Sequence, residues 1–264
     1  MSLLDAVVIT GAGRGIGRSI ALDFGKSKIP LLCISKTETV ELTKKEIQKY
    51  GGIVESKIID IGDFKVTEEA LSDWIARKNY KRLGVVLASG ILGPNGPLEG
   101  NGNSHFLAEW DECHKVNVLG NLAVLRALLP RMLENKFGRI ITFSGGGAAY
   151  ANPTFPAYSA TKTAMVRITE NIHEDLKSKG DFAIVCLAPG AIETDMLKQV
   201  RMHGGEVKTT VNISEPVNFV RSFIECNSCN FSGCLVHVRN NWKDYLNSTK
   251  QLENESVWKL RRVD

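Results

Sequence analysis

The 264-residue chain is 43% hydrophobic and 23% charged, an ordinary globular composition with enough length to bury a full α/β core. Its net charge of +4 is dispersed, with no run of like charges and no Lys/Arg block interleaved with aromatics, so no nucleic-acid partner is expected. The apolar stretch from Met1 to Thr10 contains Asp5 and no basic leader, and no apolar run reads as long enough to span a bilayer. The expectation is a cytoplasmic protein with no membrane contact.

Apolar runs alternate with amphipathic segments along the whole chain. Val7–Thr10, Leu31–Ser35, Val54–Ile59, Val85–Ala88, Arg139–Ser144, Ala183–Ala188 and Cys234–Val238 read as seven strands. Several are continuously apolar, as parallel strands covered on both faces should be. Helical periodicity follows the first strand at Ile16, Ile20 and Phe24 and the second near Leu42 and Ile47. It precedes the fourth at Ala70, Leu71, Trp74 and Ile75. Longer helical segments run from about Trp110 to Leu133 and from about Tyr158 to Ser178. This pattern predicts one doubly wound, Rossmann-type α/β domain over residues 1–264, a parallel sheet of about seven strands with helices on both faces. Leu92–Ser104, rich in Gly, Pro and Asn, reads as a loop, and Met196–Ser214 has no clear period. The polar tail from Trp242 to Asp264 carries spaced Trp242, Tyr245 and Trp258 and has no assignable element.

Six cysteines are present, including Cys226-Asn227-Ser228-Cys229 with Cys234 nearby. His237 is the only other nearby zinc-type ligand, so reduced thiols and no metal site are expected.

The first strand leads into Thr10-Gly11-Ala12-Gly13-Arg14-Gly15-Ile16-Gly17, with a helical pattern behind it. Strand, glycine turn and helix N-terminus are what a dinucleotide pyrophosphate needs: tight turning, close backbone approach and free amide hydrogens. Gly11, Arg14, Gly15, Ile16 and Gly17 are candidate cofactor contacts. At the end of the second strand an acidic residue would favour NAD through the ribose 2′-hydroxyl. Ser35 stands there instead, followed by Lys36, and no acid appears before Glu38. Lys36 and Arg14 can then pair with a 2′-phosphate, so NADP(H) is expected over NAD(H).

Tyr158 and Lys162 lie four residues apart on one helical face. With Asn117, Ser144, the glycine turn, Asp60-Ile61 and Pro189-Gly190-Ala191-Ile192-Glu193-Thr194, they give a chain that resembles the classical short-chain dehydrogenases/reductases from Thr10 to about Val238. The resemblance implies hydride transfer between a nicotinamide and a small-molecule carbonyl or alcohol. Tyr158 would be the general acid/base, and Lys162 would lower its pKa and hold the nicotinamide ribose. Asn117 would anchor a water relay to the lysine. Asp60 and Ile61 would contact adenine, and Pro189, Gly190, Ile192 and Thr194 the nicotinamide end. A homotetramer or homodimer, joined through the helices of Asn117 and Tyr158, is the family expectation.

Two departures accompany the resemblance. The usual Asn-Asn-Ala-Gly after the fourth strand reads Leu87-Ala88-Ser89-Gly90, which keeps Ser89 and Gly90 for cofactor passage but loses side-chain amides. The position thirteen residues before the tyrosine, where the family has its catalytic serine, is Gly145. Ser144 is one residue earlier, and the Gly145-Gly146-Gly147 run is expected to let the loop shift so that its hydroxyl reaches the substrate oxygen. The substrate loop, about 195–214, carries Lys198, Arg201, His203 and Lys208. These either favour an acidic substrate or are solvated charges. The alternatives to a carbonyl reductase are a catalytically weak NADP-binding sensor or interaction protein, and an enzyme that modifies sugar nucleotides.

Overall fold

The computed structural model describes residues 4–254 and 256–261. Within them, β1 (Ala6–Thr10), β2 (Leu31–Ser35), β3 (Val54–Ile58), β4 (Leu83–Leu87), β5 (Phe137–Phe143), β6 (Asp181–Ala188) and β7 (Leu235–His237) form one sheet. Every neighbouring pair is parallel, in the order β3-β2-β1-β4-β5-β6-β7. The chain winds outward from β1 to β3, then returns to lay β4 beside β1. The order reverses there, and a crevice opens at the carboxyl ends of β1 and β4.

The helices are α1 (Gly15–Lys26), α2 (Thr39–Lys49), α3 (Phe64–Ala76), α4 (Phe106–His114), α5 (Asn121–Glu134), α6 (Pro156–Leu176), α7 (Asp195–Met202) and α8 (Ser214–Ile224). Strand alternation divides the core between the two faces. Val7 and Ile9 pack with Ile20 and Phe24 of α1, Val40 and Ile47 of α2, and Phe219 and Phe223 of α8. Ala6 and Val8 point the other way, to Leu71 and Trp74 of α3 and Val124 and Leu128 of α5. All five residues of β1 are buried, which is why Ala6–Ile9 are apolar without interruption. Each fully buried Val or Ile contributes roughly 1.5–3 kcal/mol relative to an exposed one.

The seven expected strands are present; β2 has the expected ends, and the others differ at one or both ends by one or two residues, β5 starting at Phe137 rather than Arg139. The long helix expected near Trp110–Leu133 is a continuous run, Phe106–Glu134, interrupted by a π-helical segment, Lys115–Gly120. By length and composition this run is apolar enough to cross a membrane, which corrects the expectation that no such stretch exists. Of its most apolar window, 56% is buried inside the protein, with Val124, Leu125, Leu128 and Met132 in the core beside α3.

The aperiodic stretch after Met196 contains most of α7. In the tail, Trp242 stacks edge-on against Phe219 (4.8 Å) and donates from Nε1 to Val238 O (3.1 Å), while Trp258 packs on Tyr245 (5.4 Å). The Trp258 carbonyl accepts from the Leu235 amide of β7 (2.7 Å). The expectations for residues 1–3, 255 and 262–264 lie outside the described residues.

Candidate active site

The glycine turn is built by contact as much as by conformation. Gly11 has φ +65°, and a Cβ there would lie 2.8 Å from Ala88 O. A Cβ on Gly17 would lie 2.4 Å from Gly11 O, so the helix start closes directly on the turn. Gly15, the first residue of α1, faces Thr194 across a cleft of about 440 Å³. Gly11, Arg14, Ile16, Gly17, Gly90 and Thr194 line the cleft too, together with Leu92, Met196 and Gln199. A helix N-terminus opening onto a glycine cradle that side chains would fill fits a dinucleotide pyrophosphate.

Ser35, Lys36, Asp60 and Ile61 lie outside that lining, beyond the turn at the ends of β2 and β3. A Cβ on Gly13 would lie 2.9 Å from Ser35 Oγ, so the serine hydroxyl sits against the turn. Lys36 Nζ pairs with Asp60 Oδ2 at 2.6 Å. Partial burial raises the Asp60 pKa, but the bond from Lys36 and one from the Gly62 amide (3.0 Å) outweigh it and hold the carboxyl below its ordinary value. Arg14 is exposed on the cleft and makes no ion pair among the described residues.

The expected catalytic groups converge behind Gly90. Lys162, 5% exposed, donates from Nζ to Phe143 O (3.1 Å) and lies 5.4 Å from the Tyr158 ring centroid. A Cβ on Gly90 would lie 3.6 Å from that Nζ and 3.4 Å from Asn117 Oδ1. Asn117, within the π-helical segment, clamps Ile91 both ways: Oδ1 accepts from the Ile91 amide (2.8 Å) and Nδ2 donates to its carbonyl (2.9 Å). The same Nδ2 reaches Thr161 Oγ1 on α6 at 3.0 Å.

The electrostatics differ from expectation in one respect. Burial, with a smaller contribution from nearby Cys113, pushes the Tyr158 pKa above its ordinary value in the free protein, opposite to the expected direction. Burial brings the lysine down to about 8.

Gly145 faces the tyrosine: a Cβ on it would lie 2.5 Å from Tyr158 Oη. The phenol hydroxyl thus fills the space a side chain at that position would need. Ser144 is buried, and its amide donates to Leu187 O (2.9 Å), continuing the β5–β6 pairing.

Beyond β6, Gly190 (φ +75°) turns the chain, Ile192 is buried, and Thr194 caps α7 with its Oγ1 accepting from Leu197 N (3.4 Å). Pro189 precedes this turn. Two basic residues of α7 are internally paired: Lys198 with Asp195 (3.1 Å) and Arg201 with Glu193 through two bonds (2.8 and 2.6 Å). Sequence reasoning missed Met196, Gln199 and Leu92 in the cleft because their segments have no periodicity. It missed Asn121 although its four-residue spacing from Asn117 was available. The described residues contain no His/Cys/Asp/Glu group that could hold a metal ion.

Residues 5–204 match the family model for short chain dehydrogenase. The chain belongs to the short-chain dehydrogenase family. Members are NAD(P)-dependent oxidoreductases, and this chain is one of them. It is 30% identical over 235 residues to human 17-beta-hydroxysteroid dehydrogenase type 3, covering 87% of this chain and 71% of that one. It is 26% identical over 197 residues to the benzil reductase ((S)-benzoin forming) of Saccharomyces cerevisiae, covering 74% of each. One further relative is longer, and the chain spans 60% of it. Among solved structures, a Beutenbergia cavernae protein assigned as an NAD(P) dependent gluconate 5-dehydrogenase, with NADP at low occupancy, superposes with a TM-score of 0.79. Its identity is 23%, and the match covers 90% of this chain and 96% of that one.

Proposed function

We propose that this dehydrogenase is an NADP-dependent carbonyl reductase in which Tyr158 gives the substrate oxygen its proton. The observation that carries the reading is the placement of Lys162 Nζ, 5.4 Å from the Tyr158 ring centroid and 3.6 Å from where a Gly90 Cβ would be on the cleft floor. The proton-bearing group and the cleft that fits a dinucleotide are thereby adjacent. When bound, NADPH supplies the hydride. Arg14, Gly15, Gly17 and the α1 N-terminus hold its phosphates, Asp60 and Ile61 the adenine, and Pro189, Gly190, Ile192 and Thr194 the nicotinamide end. Ser89 and Gly90 leave the passage between them. The Tyr158 phenol is neutral at pH 7 and so carries the proton that reduction needs, although its burial makes it a weaker acid than a free tyrosine. Asn117 holds residue 91 and α6 in register for that transfer. Ser144 stabilises the developing oxygen charge after movement of the 145–147 glycines, a contribution on the order of 10²–10³ in rate.

Arg14 on the cleft and Ser35 in place of an acid support NADP over NAD. Lys36 contributes less, because Asp60 already holds it. The substrate is an uncharged, apolar ketone. The pairing of Lys198 and Arg201 in the substrate loop leaves only His203 and Lys208 of its four basic residues to favour an acidic one, and the names of the benzil and hydroxysteroid relatives point to an apolar ketone. Leu98 and Leu107, 74% and 75% exposed, line a surface groove with Trp110 that supports a homo-oligomer joined near α4. One observation favours a second reading, a weakly catalytic NADP-binding sensor: Gly145 occupies the usual serine position.

The test is NADPH oxidation, with product analysis alongside, on a panel of aromatic diketones, steroid ketones and sugar nucleotides. Turnover on the first two classes is expected. Tight NADPH binding without turnover across the panel would favour the sensor, and turnover without net NADPH consumption would favour the sugar-nucleotide alternative.

A further inference from the structure

Asn121 is the first residue of α5 and only 2% exposed. Asn is a weak choice for a buried helical position unless its amide is used. Here each end of the amide has partners. Nδ2 donates to Asn117 O (3.0 Å), Ser89 O (3.2 Å) and Val116 O (3.4 Å). Oδ1 accepts from Thr10 Oγ1 (3.5 Å), and that hydroxyl in turn accepts from the Ser89 amide (3.0 Å).

The backbone explains why these carbonyls come within reach of the side chain. Lys115–Gly120 is π-helical, and its widened turn moves carbonyls off the i→i+4 ladder. Asn121 Nδ2 meets two of them at the point where the helix narrows again. The third carbonyl, Ser89 O, lies just beyond β4, where Leu87 and Ala88 offer no side-chain amide. Asn117, four residues earlier, holds Ile91 from the same helix. Two asparagines, one turn apart, thus fix residues 89–91. That short segment joins the cleft to Lys162 through Gly90.

We propose that Asn121 is a positioning residue for hydride transfer. It ties the end of β1, the strand end at Ser89 and the π-helical segment together, and so sets the nicotinamide end of the cleft relative to Lys162 and Tyr158. This inference rests on the carbonyl-reductase reading of the site. It also makes a distinction within the cleft. The adenosine end, at Arg14, Ser35 and Asp60, shares no hydrogen bond with Asn121 among the described residues, so its binding is expected to depend little on the amide.

The experiment compares wild type with Asn121→Leu and Asn121→Asp. The second keeps the side-chain shape and the acceptor to Thr10 while removing the donor, and it serves if the leucine variant does not fold. Affinity is measured by calorimetry for adenosine 2′,5′-bisphosphate and for NADPH, and kcat is measured with a ketone that the wild type reduces. The expected result is unchanged bisphosphate affinity, about 10-fold weaker NADPH binding and kcat lower by about 10²-fold, as for a misplacement near 1 Å. Unchanged kcat overturns the proposal. Equal loss of both ligands overturns it as well, because that marks a merely structural role. Failure of the underlying reading is separate: it shows as a wild type that binds NADPH and reduces nothing, whatever Asn121 variants do to affinity.

Discussion

Replacing Gly145 with alanine tests whether the tyrosine hydroxyl is held where the structure puts it. The added Cβ would lie 2.5 Å from Tyr158 Oη, 3.0 Å from Cε1 and 3.1 Å from Cζ. Ordinary contact requires the hydroxyl to retreat by about 1 Å. The edge of the ring is crowded together with its hydroxyl, so rotating the O–H does not relieve the clash, and the ring itself must move. Gly145 is not in the left-handed region, so alanine brings no backbone strain there. Overpacking of this kind costs about 1–3 kcal/mol. Displacing a proton donor by about 1 Å costs on the order of 10² in kcat. Gly146→Ala is the matched control, because a Cβ there meets nothing within 4 Å. The assay is kcat for ketone reduction, with urea denaturation of both variants. The Gly145 variant is expected to lose activity and stability, with the Gly146 variant near wild type. Equal activity in the two would refute the reasoning, since the phenol would then move freely. Gly145→Ser carries the same Cβ and is expected to lose as much as alanine.

Other outcomes follow from the charges. Burial lowers Lys162 from 10.5 to about 8, so between those values the unfolded chain holds a proton that the folded one has released. Wild-type stability then rises with pH across that window. Lys162→Met lacks this rise, so urea titrations at pH 7 and 10.5 should show the stability difference moving by about 3 kcal/mol in the wild type's favour, and parallel pH profiles would contradict it. Arg14→Ala should weaken NADPH by about 10- to 100-fold with little change for NADH, measured by fluorescence titration. Lys36→Ala should do less than Arg14→Ala, because Lys36 must first leave Asp60; the reverse order would place the 2′-phosphate nearer β2 than proposed.

Much of the architecture was legible because both faces of the sheet are covered. Val7, Val8 and Ile9 are buried whichever way they point, so β1 announces itself as an unbroken apolar run. The glycine turn was readable for a similar reason: Gly11 and Gly17 approach other backbone closely and tolerate no side chain. Helix α7 was not readable. Only Leu197 is buried on it, and its remaining residues face solvent or the cleft, so no apolar period exists to detect. The π-helical segment is likewise invisible in hydrophobic spacing, and with it the two-asparagine clamp on residues 89–91. The tail escaped because its anchors, Trp242, Tyr245 and Trp258, are isolated aromatics that find partners on α8 and near β7 only in three dimensions. The Tyr158–Lys162 spacing correctly suggested proximity, but not its electrical consequence. The sequence cannot show that the half-buried phenol sits against Gly145 or that Lys162 spends its hydrogen bond on Phe143 O.

The central claim is that Tyr158 supplies the proton that accompanies hydride transfer beside the dinucleotide cleft. Its most direct test follows deuterium from NADPH labelled at C4 into the carbinol carbon of a ketone that the wild type reduces, in the wild type and in Tyr158→Phe. The account predicts transfer by the wild type. It predicts that the phenylalanine variant binds NADPH within about 3-fold of wild type yet transfers deuterium about 10²–10⁴ times more slowly. A phenylalanine variant that transfers at the wild-type rate would contradict it.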